Sequence, residues 1–308
     1  MKIDAKLFMQ KKIIYSFLAI FFISVFYKGQ RHEIGVQVGM SNLVGDIGRT
    51  NYIFQKPVLD DLSQYGFPLY VGALYRMNFN PYQSVRLNVG FSNVQFIDAV
   101  AKENYRRNRR LYGTNSIIEA DLIFEYNFFP VNDEQKSLLS PYIFGGVGGM
   151  YASVTQVSIE NDFLRGPGGN PINPDPTNPA SFQTNPTYAA GKKLTMAIPF
   201  GVGLKYKFNY NWALFGEMMF RPTFSDSLDY SVIDDKDVKV TYNKDILSPS
   251  GNGKSILQDP EYKALIDAKV AKILEDRQIG NINSKDWINS VTIGLTYSFG
   301  RPPCYCEN

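Results

Sequence analysis

The chain has 308 residues, with 32 Lys and Arg, 29 Asp and Glu, one His and two Cys. The first 29 residues hold five Lys and one Asp, so the remainder carries 27 basic and 28 acidic residues and nothing in its charge advertises nucleic-acid binding. A lone His at position 32 excludes a Ser-His-Asp array at an outer membrane face, and no catalytic residue, metal site or cofactor is expected.

Residues 1–29 read as a secretory signal peptide. Lys2, Lys6, Lys11 and Lys12 form a basic start, and Ile13 to Tyr27 is an apolar run interrupted only by Ser16 and Ser24. That run is short for a spanning helix, which needs roughly 20 residues. Tyr27-Lys28-Gly29 is not a small-x-small exit, and cleavage is placed after Gly29 with an uncleaved anchor helix as the alternative. No Cys follows the run to carry a lipid.

From residue 30 on, apolar residues recur with period two. In RHEIGVQVGMSNLVGDIG (31–48), Ile34, Val36, Val38 and Met40 share one face; Glu33, Gly35, Gln37 and Gly39 share the other. The pattern repeats at 68–79, 83–92, 116–129, 141–154, 193–208, 211–221 and 290–300, which predicts eight strands. Several are about the 9–11 residues a tilted strand needs to cross a bilayer. The connections alternate between long (41–67, 93–115, 155–192, 222–289) and short or medium (80–82, 130–140, 209–210). Such sorting suits an outer-membrane barrel with an even strand count, and backbone groups in lipid demand closure. The expected fold is an eight-stranded antiparallel transmembrane outer-membrane β-barrel over residues 30–300. It has long extracellular loops, one carrying a helix, and both termini in the periplasm.

An eight-stranded barrel encloses just enough room for side chains. The inward rows hold Arg76, Arg86, Lys205, Lys207 and Arg221 against Glu119, Asp121, Glu125 and Glu217. They are expected to pair across the lumen, since unpaired buried charges are costly; a narrow ion path would need one sign in excess.

The last long loop predicts a helix over 259–278, capped by Asp259 with Pro260 at its first position. Its apolar stripe (Tyr262, Leu265, Ile266, Val270, Ile273, Leu274) packs on its own loop or on a partner. The stretch 165–187, rich in Pro, Asn and Gly, is expected to lack regular structure. NYRRNRR (104–110) faces anionic lipopolysaccharide headgroups or is merely solvated. His32 and Glu33 cap the barrel mouth. The tail 301–308 carries Pro302 and Pro303, which cannot extend a ladder, then Cys304, Tyr305 and Cys306. It is a stiff segment suited to docking a periplasmic protein, or a frayed end. The short turn at Asn80 and Pro81 is the other candidate contact.

Four stretches, QRHEIGVQVGMSNLVGDIGRTNYI (30–53), YRMNFNPYQSVRLNV (75–89), RRLYGTNSIIEADLIFEYNFF (109–129) and SPYIFGGVGGMYA (140–152), resemble the PorG-type outer-membrane barrels of the type IX secretion system of the Bacteroidetes. The likeness returns at VTIGLTYSFGRPPCY, and its most specific element is Gly45, Asp46 and Gly48. The resemblance implies a non-enzymatic role beside the periplasmic ring proteins of a machine that exports proteins and supports gliding motility. A porin-like or ligand-binding outer-membrane barrel acting through its long loops is the alternative.

Overall fold

The computed structural model describes residues 31–51, 58, 62–132, 138–172, 181–242, 260–281 and 284–300. The leader (1–29) and the tail with Pro302, Pro303, Cys304, Tyr305 and Cys306 lie outside the described residues.

Ten strands form one sheet: β1 (Arg31–Val44), β2 (Leu69–Asn78), β3 (Gln83–Ile97), β4 (Tyr112–Asn127), β5 (Leu138–Phe163), β6 (Phe182–Ala197), β7 (Phe200–Lys207), β8 (Trp212–Pro222), β9 (Val238–Tyr242) and β10 (Trp287–Phe299). The ring runs β1–β2–β3–β4–β5–β7–β8–β10 and closes through β10 onto β1, from His32 opposite Phe299 to Val44 opposite Trp287. Every pairing in it is antiparallel. Closure leaves the spanning part without an open edge, as lipid requires.

The predicted strand 193–208 is β6 and β7 joined at Ile198-Pro199. Pro199 has no N–H to give a ladder, yet the register on β5 passes straight through, with Gly148 opposite Ala197 and Gly145 opposite Phe200. The pair therefore counts as one of eight ring strands. Alternation is strict across the membrane band. Ile34, Val36, Val38, Leu87, Val89, Leu122, Phe124, Val202 and Ile293 are exposed on the outer surface, while Glu33, Gln37, Arg86, Asn88 and Glu125 are buried inside.

His32 belongs to the outer surface, stacked between Tyr75 and Phe299 with ring centroids 5.8 Å from each. This corrects the expectation that it caps the mouth. It joins the aromatic rim that such barrels place at a membrane–water boundary.

At the long-loop end the strands outrun the bilayer. Much of the expected loop 155–192 is a β5–β6 hairpin pairing Phe163 with Phe182, so 182–187 is strand rather than irregular chain. Above Ala152, where β4 leaves β5, short β9 takes its place by pairing parallel to β5. Among the described residues three α-helices lie in the loops: α1 (Leu62–Tyr65), α2 (Asn104–Arg109) and α3 (Pro260–Arg277). Helix α3 sets Ile266 and Val270 against Val157, Ile159, Phe163 and Phe182, with Ile273 and Leu274 beside them. It packs on the β5–β6 hairpin of a different loop as well as on Ile233, Val238, Val240 and Tyr242 of its own, so the own-loop alternative describes only part of the contact.

Candidate functional site

Inside the barrel a single chain of ion pairs links six ring strands. Lys205 on β7 meets Glu33 on β1 at 3.3 Å, and Glu33 meets Arg76 on β2 at 2.6 Å. Arg76 meets Glu125 on β4 at 2.6 Å, and Glu125 meets Arg86 on β3 at 3.0 Å. Arg86 closes the chain on Glu217 of β8 with two parallel bonds of 2.8 and 3.0 Å. Arg221 pairs separately with Glu119. Bidentate and multiply bonded pairs are the geometry in which a buried charge is tolerated.

Three residues differ from expectation. Glu33 is a central acceptor, invisible to a reading that placed it at the mouth. Asp121 is buried but makes no ion pair among the described residues; it accepts one 3.4 Å bond from Asn88. The reason is position: Glu119, two residues along the same inward row, takes Arg221 first. Lys207 also leaves the network and points at the carbonyls of Val131 and Asn132.

The lumen is filled. The side chains of Arg76, Arg86 and Arg221 are 0 % exposed, so no water-sized space adjoins them. Between the ion pairs lie Tyr70, Ile123, Tyr142, Phe144 and Met219. Arg86 stands 5.3 Å over the Phe144 ring and Arg221 5.3 Å over Tyr70.

Both ends are stoppered. At the short-turn end Asn132 tucks under the barrel. It bonds the carbonyls of Pro81 and Asn80 at 3.3 and 3.1 Å and receives Arg31 and Lys205. The turn at Asn80 and Pro81 thus holds this stopper by its backbone carbonyls. Tyr210 lies against Arg31, 4.2 Å from ring centre to guanidinium. At the long-loop end Leu228 descends from the β8–β10 loop into a cluster with Leu43, Val94, Phe96, Ile117, Met150 and Ile288. Asn115, at the split between β4 and β5, fixes it by donating to the Leu228 carbonyl at 2.7 Å and to Ser153 at 2.8 Å.

Above this plug the loops form a folded cap built on the Gly45-Asp46-Ile47-Gly48 turn. Gly48 has φ +94, a conformation a side chain would strain. Arg106 of α2 is buried and donates to the carbonyls of Gly45 and Gly48, both at 3.0 Å. Arg109 donates to the Asp46 carbonyl at 2.7 Å and pairs with buried Asp98, which accepts the Gly48 N–H at 2.8 Å. Asp98 holds the Arg109 guanidinium above its ordinary pKa, chiefly by hydrogen bonding. Half the arginine run read as lipid-facing or solvated therefore serves the turn.

Four carboxylates crowd the same cap: Asp46, Asp226, Asp229 and Asp286, all buried. Burial first, and then the neighbouring carboxylates, raise Asp226 to about 7 and push Asp286 well above its usual range. Among the described residues no group of three or more His, Cys, Asp or Glu side chains is placed to hold a metal ion.

A closed antiparallel ring with an apolar exterior and a charged interior defines a transmembrane β-barrel of the outer-membrane type. The sequence matches the family described as "Domain of unknown function (DUF6089)" over residues 11–164 and 268–308, and the chain belongs to that family. No curated protein matches it. Solved structures similar to it include Ail, the attachment invasion locus protein of Yersinia pestis, at 11 % identity and TM-score 0.37, covering 88 % of this chain and 99 % of that one. The outer membrane protein OprG of Pseudomonas aeruginosa shares 9 % identity at TM-score 0.33, with 89 % and 97 % covered. The N-terminal barrel of OprF from the same organism shares 11 % at 0.33, with 88 % and 98 % covered. At that distance the likenesses carry no argument, and the barrel rests on its own strand ring.

Proposed function

We propose that the chain is a non-enzymatic outer-membrane component of the type IX protein secretion and gliding-motility machinery. In this reading its short-turn end faces the periplasm and associates with the machine's ring proteins. The supporting observation is the filled, doubly stoppered lumen: a barrel with no water-sized space around its central arginines leaves only its rims to work with. The resemblance carried by 30–53, 75–89, 109–129 and 140–152 points to that machine. Ring closure puts the first and last described strands side by side at the short-turn rim, where Arg31, Asn78 and Phe299 gather. The candidate contacts Asn80 and Pro81 follow Asn78 on that rim, and the proposed contacts from Pro302 to Cys306 lie outside the described residues. The folded cap favours a second reading, a ligand-binding barrel. A cleft of about 450 Å³ there is lined by Tyr188, Tyr230 and Arg277.

The test is affinity purification of the intact protein from native membranes, with planar-bilayer recording of the purified barrel. Stoichiometric ring proteins and no single-channel steps are the expected result. Stable conductance without periplasmic partners would overturn the reading. Removing residues after Arg301 then separates tail from turns: ring proteins lost from an intact, heat-modifiable barrel assign the contact to the tail.

A further inference from the structure

Helix α3 covers only part of the β5–β6 hairpin. Ile266 and Val270 lie on Val157 and Ile159, and the last helical residue, Arg277, borders a cleft of about 450 Å³ over the neighbouring stretch of the hairpin. The floor of that cleft carries the short side chains of Ser153, Thr155 and Ala190, with Thr155 directly opposite Ala190 across the two strands. Tyr188, opposite Val157, and Tyr230 line it as well. The Tyr188 side chain has no hydrogen-bond partner among the described residues, and the residue keeps 44 % of its surface exposed.

Tyr230 is held at the cleft in a left-handed backbone conformation, φ 61, which a bulky residue adopts only at a cost. Its hydroxyl donates to the Thr114 carbonyl at 3.2 Å, its ring stands edge-on to Phe96 at 5.7 Å between centroids, and its carbonyl accepts from Arg277 at 3.3 Å. That one bond leaves most of the Arg277 fork unbonded among the described residues. Lys192, exposed beside the floor, donates to the Ser153 hydroxyl at 2.7 Å. No Asp or Glu lines the cleft among the described residues. The carboxylates around it are engaged elsewhere: Asp234 and Asp237 pair with Lys193, and Asp226 lines a separate cavity with Glu275 and Lys285. Asp276, next to Arg277 in the chain, is exposed and outside the lining.

We propose that this cleft binds an acidic saccharide, a pyranose ring bearing a carboxylate, with the ring on Tyr188 and the carboxylate on Arg277. A planar guanidinium fork matches the two oxygens of a carboxylate. Lys192 adds a second positive charge at the edge, and a lining without an acidic group leaves that field to an anion. A pyranose presents one apolar C–H face inside a rim of hydroxyls. An exposed tyrosine offers the complementary apolar body with a polar tip, and Ser153 and Thr155 supply hydroxyls from the floor. The volume falls within the roughly 300–1,000 Å³ of small-molecule sites. The inference rests on the second reading, the folded cap as a ligand-binding surface, and gives that reading a ligand class; the secretion role does not enter.

The test uses the chain from residue 30 refolded in a detergent without sugar headgroups and free of lipopolysaccharide. Digalacturonic acid and the matching neutral galactose disaccharide are titrated by calorimetry, while heat-modifiability reports the barrel and protease cleavage the cap. One digalacturonate per chain is expected, with a Kd below about 1 mM and the neutral disaccharide about tenfold weaker or more. Arg277→Gln removes the partner of the carboxylate and Tyr188→Ala that of the ring, and each should weaken binding about tenfold or more. Arg107→Gln, at an exposed position of α2 outside the cleft, should bind as before. Tyr188→Ala is decisive should Arg277→Gln loosen the cap, because the exposed Tyr188 side chain holds nothing in place among the described residues. Equal binding of the two disaccharides, still lost in Tyr188→Ala, would overturn the acidic class and leave the cleft a ligand site. Binding of neither would overturn the proposal outright, and binding undiminished in both cleft variants would overturn it too.

Discussion

The lumen and the cap bury similar numbers of acidic groups and treat them in opposite ways. In the lumen Glu33, Glu119, Glu125 and Glu217 each face a guanidinium or ammonium. In the cap Asp46, Asp226, Asp229 and Asp286 face N–H groups, hydroxyls and one another. The difference follows from what each region is. Strand register fixes inward side chains to within one residue, so complementary charges on neighbouring strands meet by construction. Loops have no such register, and their acidic groups gather where three of them cross. A paired interior is insensitive to its surroundings, whereas an unpaired acidic cluster responds to protons and cations.

The comparison breaks most sharply at Glu125, the residue shared by Arg76 and Arg86. Glu125→Ala takes one of two carboxylate partners from each of two buried guanidiniums, leaving Arg76 on Glu33 and Arg86 on Glu217, and the barrel should lose about 3 kcal/mol. A heat-modifiability shift to clearly lower temperature, with cap proteolysis unchanged at first, is the expected result. A variant as heat-resistant as the parent would mean the lumen does not depend on its pairs.

On the cap side the largest effect belongs to Arg106. Arg106→Met removes both bonds to the Gly45 and Gly48 carbonyls, a charged donor pair worth about 2–3 kcal/mol. Cleavage within 45–51 and 98–111 should accelerate while the barrel still shifts normally on gels.

A pH series sharpens the contrast with a smaller change. Asp226 titrates at about 7 in the folded cap, against 3.8 for a free carboxyl. The stability it contributes is therefore full below the lower value and is lost as pH rises through the upper one. In divalent-free buffer the cap should resist protease best near pH 4 and progressively less through pH 7, on the order of those two values. Asp226→Asn should flatten that slope.

The smallest effect is expected inside the lumen itself. Asp121 has no cationic partner, so Asp121→Asn should move unfolding by less than about 1 kcal/mol. Glu119→Gln, which weakens the hold on Arg221, should move it by more. Equal effects would show that Arg221 divides itself between the two carboxylates.

Period-two alternation made the strands, their outward faces and the inward charges legible, because lipid on one side and a packed interior on the other admit no other pattern. The helix at 260–277 was readable from its proline start and apolar spacing. The hairpin above the membrane was not. There β5 and β6 leave the lipid, both faces meet mixed surroundings, and strict alternation ends near Thr155 and Gln156. Proline and asparagine then suggested a loop where Pro186 sits opposite Ile159 in a strand.

Local chemistry in the chain therefore dictates a closed barrel with a charged lumen, since side-chain alternation and backbone hydrogen bonding act over neighbouring residues. Who pairs with whom is a matter of distance in space. Glu33 finds Arg76 and Lys205 because β1 closes on β2 and, across the lumen, faces β7. Arg106 finds the Gly45 turn across 61 residues, and Asp286 reaches Leu228 across 58. Such contacts depend on how loops of different lengths fold back over one rim, and no spacing along the sequence encodes that.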